Sequence, residues 1–101
     1  MGQKWAAPGL VLQAHLRPHV DGASESGTRV GFTVTRKVGN AVIRNRARRR
    51  LRAAAESVLP VHGDDGTDFV LIGRAGTLKR PFPLLVADLT KALKKLDAYR
   101  N

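Results

Sequence analysis

The sequence predicts an α+β fold, a small α/β sandwich in which a mixed sheet carries helices on one face. Three observations predict it. Gly9–Arg17 and Arg29–Thr35 alternate apolar and polar side chains with the period of a half-buried strand. Ala41–Leu59 and the stretch from Phe82 onward repeat apolar residues at steps of three and four, the spacing of one helical face. Between these helices Phe69-Val70-Leu71-Ile72 is continuously apolar, as in a central strand buried on both faces. Strand, strand, helix, strand, helix over 101 residues reads as one domain, 1–101, with a modest single core and no internal repeat.

Met1–Pro8 is short and polar, with Trp5 its only large apolar group. In Gly9–Arg17, Leu10, Leu12, Ala14 and Leu16 share one face while Val11, Gln13 and His15 share the other. Pro18 ends the strand. His19-Val20-Asp21 is a candidate short strand, and residues 22–28, rich in Gly and Ser, form a loop. In Arg29–Thr35, Val30, Phe32 and Val34 face a covering helix. Arg29, Gly31, Thr33 and Thr35 make a polar face able to admit a ligand strand. Gly39 permits a sharp turn and Asn40 is a strong N-cap, so the first helix starts there. Residues 60–67, opening on Pro60, carry turn chemistry and read as a loop. Asp68–Arg74 is the third strand, after which Gly73, Gly76 and Pro81 mark irregular chain. Pro83 suits the first turn of the second helix, whose stripe is Leu85, Leu89, Leu93, Leu96 and Tyr99. Asp88 toward its start and Lys91, Lys94 and Lys95 later agree with the helix dipole. Parallel strands on either side of the first helix would, by the general rule, be joined by a right-handed crossover.

Charge carries the functional signal. The formal net charge is +10, and eight of the eighteen Lys and Arg residues fall between Arg36 and Arg52, where there is no Asp or Glu. The apolar seam Ile43, Ala47, Leu51, Ala54, Val58 turns Asn45, Arg48, Arg49 and Arg52 away from the core. Arg44 and Arg46 lie on opposite flanks, and Arg50 sits close enough to the apolar edge that it must snorkel. Arg44/Arg48, Arg46/Arg50 and Arg48/Arg52 are like-charge pairs at i,i+4, each costing roughly 0.2–0.5 kcal/mol. Cations in the first turns also oppose the macrodipole. A helix built this way lacks its partner, and that partner is a polyanion: nucleic acid before acidic protein or membrane. Arg29, Arg74, Lys79 and Arg80 reinforce the field at most.

Other classes are poorly supplied. There is no cysteine, hence no disulfide framework and no thiolate zinc site. His15, His19 and His62 lack ligand spacing, and Asp64-Asp65 reads as a polar turn rather than a metal site. No nucleophile–base or paired-carboxylate arrangement offers hydrolysis by the protein itself. No apolar run approaches the roughly 18 residues of a membrane span, and no signal peptide opens the chain, so a soluble, cytoplasmic protein is expected. A DNA-binding regulator is disfavoured because no dimerisation heptads follow the basic helix. Composition leaves two RNA-binding classes open: a structural protein of ribosomal type, and a subunit of an RNA-processing enzyme.

The motif separates them. Val30-Gly31-Phe32-Thr33-Val34-Thr35-Arg36-Lys37-Val38-Gly39-Asn40-Ala41-Val42-Ile43-Arg44-Asn45-Arg46 closely resembles the signature of the bacterial ribonuclease P protein component. The Arg-Asn-Arg core falls at Arg44-Asn45-Arg46, the preceding Lys-x-Gly-Asn-Ala-Val at Lys37 to Val42, and the downstream basic positions at Arg48, Arg49 and Arg52. The resemblance implies a ribosomal protein S5 domain 2-like fold with a left-handed crossover at this helix, against the general rule. It implies a protein subunit of an endonuclease that removes 5′ leaders from precursor tRNA. The RNA subunit, with Mg2+, performs the hydrolysis, so the protein contributes no catalytic residue and binds no metal or cofactor of its own. The implied partners are the catalytic RNA and precursor tRNA, with no membrane; a protein oligomer is not implied. Arg36, Lys37, Asn40, Arg44, Asn45, Arg46, Arg48, Arg49 and Arg52 are the candidate RNA-binding residues. The arginines would contact phosphates, and Asn45 would bridge RNA, backbone or a hydrated cation. Gln13, Thr33 and Thr35 are candidates for the leader path. Members of the family usually begin with a further basic helix bearing aromatic residues of the leader cleft. Only Met1–Lys4 precede Trp5 here, so that helix is expected to be missing.

Overall fold

The computed structural model describes residues 2–16, 29–63 and 66–100. His19-Val20-Asp21, the loop expected at 22–28 and Asp64-Asp65 lie outside them. Strands β1 (Gly2–Ala6), β2 (Leu10–Leu16) and β3 (Arg29–Thr33) precede helix α1 (Ala41–His62). Strand β4 (Thr67–Gly73), a 3₁₀ turn at Ala75–Thr77 and helix α2 (Phe82–Lys95) follow. The strands form one four-stranded sheet in the order β1-β2-β4-β3. β1 and β4 each pair antiparallel with β2, whereas β3 runs parallel to β4, so α1 is the crossover between two neighbours.

Strand register decides which side of the sheet is dry. Leu12 pairs with Leu71, Ala14 with Phe69, and Phe32 with Leu71, which places these side chains on one face. Leu10, Leu12, Phe69 and Leu71 are buried there against Ala47, Leu51, Ala54 and Val58 of α1 and Leu85, Leu89 and Leu93 of α2. The other face carries Val11, Gln13 and His15 of β2, Val70 and Ile72 of β4, and Gly31 and Thr33 of β3. Val70 and Ile72 are only half-buried, so β4 is central in the sheet but dry on one face, not on both as its apolar run suggests.

Three further expectations change. Gly2–Ala6 is a strand: Trp5 pairs with Leu12 and packs against the core, with the Lys95 ammonium 5.5 Å from its ring. The helix runs through Pro60 to His62, so the loop expected at 60–67 begins only at Gly63. Pro60 gives up one helical hydrogen bond, but tertiary contacts hold the last turn. His62 stacks on Tyr99 at 4.6 Å between ring centroids, Arg100 N donates to His62 O at 2.7 Å, and Gly63 bridges to Tyr99. Tyr99 is thus outside α2, which ends at Lys95. Asp97 follows with φ 59, and Ala98 N donates to Leu93 O at 2.8 Å, closing a Schellman-type end. A left-handed backbone strains an L-residue, and an acid beside a helix C-terminus opposes the dipole. Asp97→Gly should therefore raise stability by about 0.5–1 kcal/mol, read as a higher denaturant midpoint at unchanged m-value.

A polar network joins the β1–β2 turn to α2. Gly9 N donates to Asp88 Oδ2 at 3.0 Å, and Asp88 also receives the Arg80 fork at 2.9 and 3.0 Å. Thr77 Oγ1 donates to Gly9 O at 2.6 Å and accepts from Arg74 N at 2.8 Å, while Arg74 Nη1 donates to Ala7 O at 2.7 Å. Asp88 is buried, so its role is to hold this corner rather than to complement a dipole at the surface. Arg74 and Arg80 are likewise committed to the fold. Gly9 is required by close approach: a Cβ there would stand 2.7 Å from Leu85 Cδ1 and 2.8 Å from Asp88 Oδ2.

Candidate nucleic-acid interface

The interface begins where β3 stops. Val34 turns inward and is buried, and the chain then folds over itself, with Val38 N donating to Thr35 O at 3.1 Å and Gly39 N to Arg36 O at 3.2 Å. Arg36 and Lys37 are exposed on this corner. Gly39 is needed because a Cβ would lie 2.7 Å from Ile43 Cγ2 and 2.9 Å from Ile43 Cβ. Asn40 Oδ1 accepts from Ile43 N at 3.0 Å, so this side chain caps α1 as its position predicts. The geometry gives Asn40 a helix-starting role whatever else it touches.

Helix α1 is about 33 Å long at 1.5 Å per residue. Its buried seam turns Asn45, Arg46, Arg49 and Arg52 to solvent and leaves Arg44 and Arg48 half-buried. The first turn contains no acid. Arg48 Nη1 donates to Asn45 Oδ1 at 3.1 Å, which orients both side chains. The Arg52 guanidinium lies 5.6 Å from the centroid of the Phe32 ring, a cation–π contact that ties this charge to β3. Arg44 Nε is shut away from solvent with no acceptor. Arg50 goes elsewhere: its Nε donates to Thr77 O at 3.0 Å and its Nη2 to Arg80 O, so the snorkel ends on two backbone carbonyls. The like-charge pairs are affordable because one buried leucine such as Leu51 contributes about 1.5–3 kcal/mol, more than the three pairs together remove. Packing holds the helix, and its cations remain displayed.

The open face of the sheet forms a second surface. Lys4, Gln13, His15, Asp68 and Val70 line a depression of ≈ 460 Å³ there. Of the leader-path candidates, Gln13 lies in it and Thr33 shares the face across β4. Thr35 does not: the strand ends at Thr33, and Thr35 sits exposed in the turn toward Arg36. Lys4 and His15 line the same depression without having been candidates in the sequence. Lys4 aligns opposite Gln13 only once β1 is a strand, and His15 gains interest only from its place on this face. Among the described residues no three His, Asp or Glu side chains gather as a cation site. No described helix is long and apolar enough to cross a membrane.

Comparison with known proteins agrees with this geometry. The family model for ribonuclease P matches residues 1–97. The chain is 56% identical over 99 residues to the ribonuclease P protein component of Paramagnetospirillum magneticum, covering 98% of this chain and 74% of that protein. It is 52% identical over 97 residues to the namesake in Ruegeria pomeroyi, covering 95% and 75%. The fold superposes on the RNase P protein of Staphylococcus aureus with a TM-score of 0.74 at 22% identity, over 98% of this chain and 84% of that one. For the Thermotoga maritima RNase P protein the TM-score is 0.74 at 23% identity, over 93% and 83%. The chain therefore belongs to the ribonuclease P protein component family, the protein subunit of the endonuclease that frees the 5′ ends of tRNA.

Proposed function

We propose that the chain holds two RNA segments at once, the catalytic RNA on the cationic face of α1 and the 5′ leader of precursor tRNA on the open face of the sheet. The observation that carries this reading is that both helices pack on one face of the sheet, and no described helix covers Gln13, Thr33 and Val70 on the other. The two surfaces do not compete, so one protein can bridge enzyme and substrate. Arg46, Arg49 and Arg52 supply exposed charge for phosphates, Arg36 and Lys37 extend the patch around the corner, and Arg48 and Asn45 act as an oriented pair.

In this reading the RNA subunit and its Mg2+ ions break the phosphodiester bond, and the protein positions what is to be cut. The complex works in the cytoplasm, where precursor tRNA is its substrate. The test compares cleavage of 5′-labelled precursor tRNA by the cognate catalytic RNA at low Mg2+, with and without the chain. The chain should stimulate cleavage at the mature 5′ end. Lys4→Ala combined with Gln13→Ala should weaken affinity for leader-bearing substrate several-fold while leaving affinity for the catalytic RNA unchanged. Equal affinity of both proteins for substrates with and without a leader would remove the sheet face from the path.

A further inference from the structure

We propose that Phe82 is a stacking platform for an unpaired RNA base, set beside the cationic face of α1. The inference rests on the RNA-binding reading of that helix and extends the interface onto the first turn of α2. Of the five aromatic side chains, Trp5, Phe32, Phe69 and Tyr99 belong to or pack against the core. Phe82 alone stands apart, 37% exposed at the first residue of α2. More than a third of this aromatic residue still faces water at the helix start, apolar surface open to a partner.

The ring is held in place. The Arg50 guanidinium lies over it, 6.0 Å from the centroid, and that guanidinium is itself fixed by the carbonyls of Thr77 and Arg80. The platform is therefore preorganised, which lowers the entropy lost when a base settles on it. Its surroundings select the partner. Arg50 follows Arg46 by one turn along the same flank of α1, exposed Lys79 lies three residues before the ring, and no acid occurs between Arg74 and Phe82. A π-surface edged by cations fits a base and its flanking phosphates. Exposed Leu84 does not enlarge it into an apolar patch, since two residues along a helix place it roughly 200° away. The surface suits single-stranded RNA rather than an apolar protein face.

The test measures binding of the full chain to the cognate catalytic RNA over a range of salt. Phe82→Ala should weaken binding roughly tenfold, within the range for loss of one stacked base. The salt slope should stay unchanged, because no phosphate contact is lost. Phe82→Trp should retain affinity, and Phe82→Leu should not restore it. With Trp5→Phe in the same chain, Phe82→Trp supplies the sole indole, and its emission should be quenched when RNA binds. Full affinity in Phe82→Ala or Phe82→Leu, or an unquenched indole, would overturn the proposal. So would self-association of the unaltered chain that Phe82→Ala abolishes, since the occupant would then be a second copy. Failure of the unaltered chain to bind RNA would instead overturn the reading of α1 on which the proposal depends.

Discussion

Asp88→Ala should be the most damaging single substitution outside the apolar core, lowering stability by roughly 3 kcal/mol. The carboxylate side chain is 8% exposed and serves three donors: Gly9 N, Arg80 Nε and Arg80 Nη2. Removing it strands a buried backbone N–H and leaves a cation, 29% exposed, without its counter-charge. Because Arg80 keeps some contact with water, the loss sits at the low end for a broken buried pair. For a chain of this size that corresponds to a fall in Tm of about 12–24 °C. Asp88→Asn should recover part of it, since an amide oxygen can still accept from Gly9. A thermal melt of the three proteins checks the order, and a wild-type Tm for Asp88→Ala would show that the corner is held by its apolar contacts alone. RNA affinity per folded molecule should not change, because no RNA-facing side chain is touched.

The second large effect has the opposite character. Arg46→Ala with Arg49→Ala should weaken binding of the catalytic RNA about a hundredfold at low salt, if each arginine contributes one charge-assisted contact. The magnitude of the salt slope should fall by about one for each arginine removed. Stability should hold or rise slightly, because both side chains are exposed and Arg46 repels Arg50 one turn away. Affinity and stability therefore move in different directions. Arg50→Ala reverses the pattern: it frees the carbonyls of Thr77 and Arg80 and should lower stability. Titration across salt, paired with denaturation of each variant, separates the two kinds of arginine. An unchanged slope in the double variant would take α1 out of the interface.

The difference between those arginines marks where sequence reading reached its limit. Periodicity is enough to find the seam through Ala47, Leu51, Ala54 and Val58, and Arg49 and Arg52 turn outward as it predicts, whereas Arg48 is half-buried and Arg46, placed on a flank, is exposed. The strands β2, β3 and β4 and the start of α2 were legible for the same reason. What Arg50 reaches was not, because Thr77 and Arg80 come near it only through tertiary folding. β1 was hidden because Gly2–Ala6 has one large apolar residue and no alternation; its strand character comes from pairing with β2. Pro60 misled because local propensity ends a helix there, whereas contacts among His62, Tyr99 and Arg100 carry it on. Val70 and Ile72 misled in the other direction. Their apolarity suggests a covering layer that the described residues do not supply.

The sheet order has a consequence for how the chain acquires its structure. Among the described strands only β1 and β2 are joined by a tight turn; β3 reaches its neighbour β4 only across α1, and β2 pairs with β4 across both β3 and α1. Loop closure thus precedes most of the reward from strand pairing, the condition for slow, late folding. Until then the arginine-rich helix has little to pack against and repels itself. A polyanion that binds the finished fold more tightly than the open chain pulls this equilibrium forward, by RT ln(1 + [L]/Kd). The RNA is then both the protein's partner and a contributor to its folding.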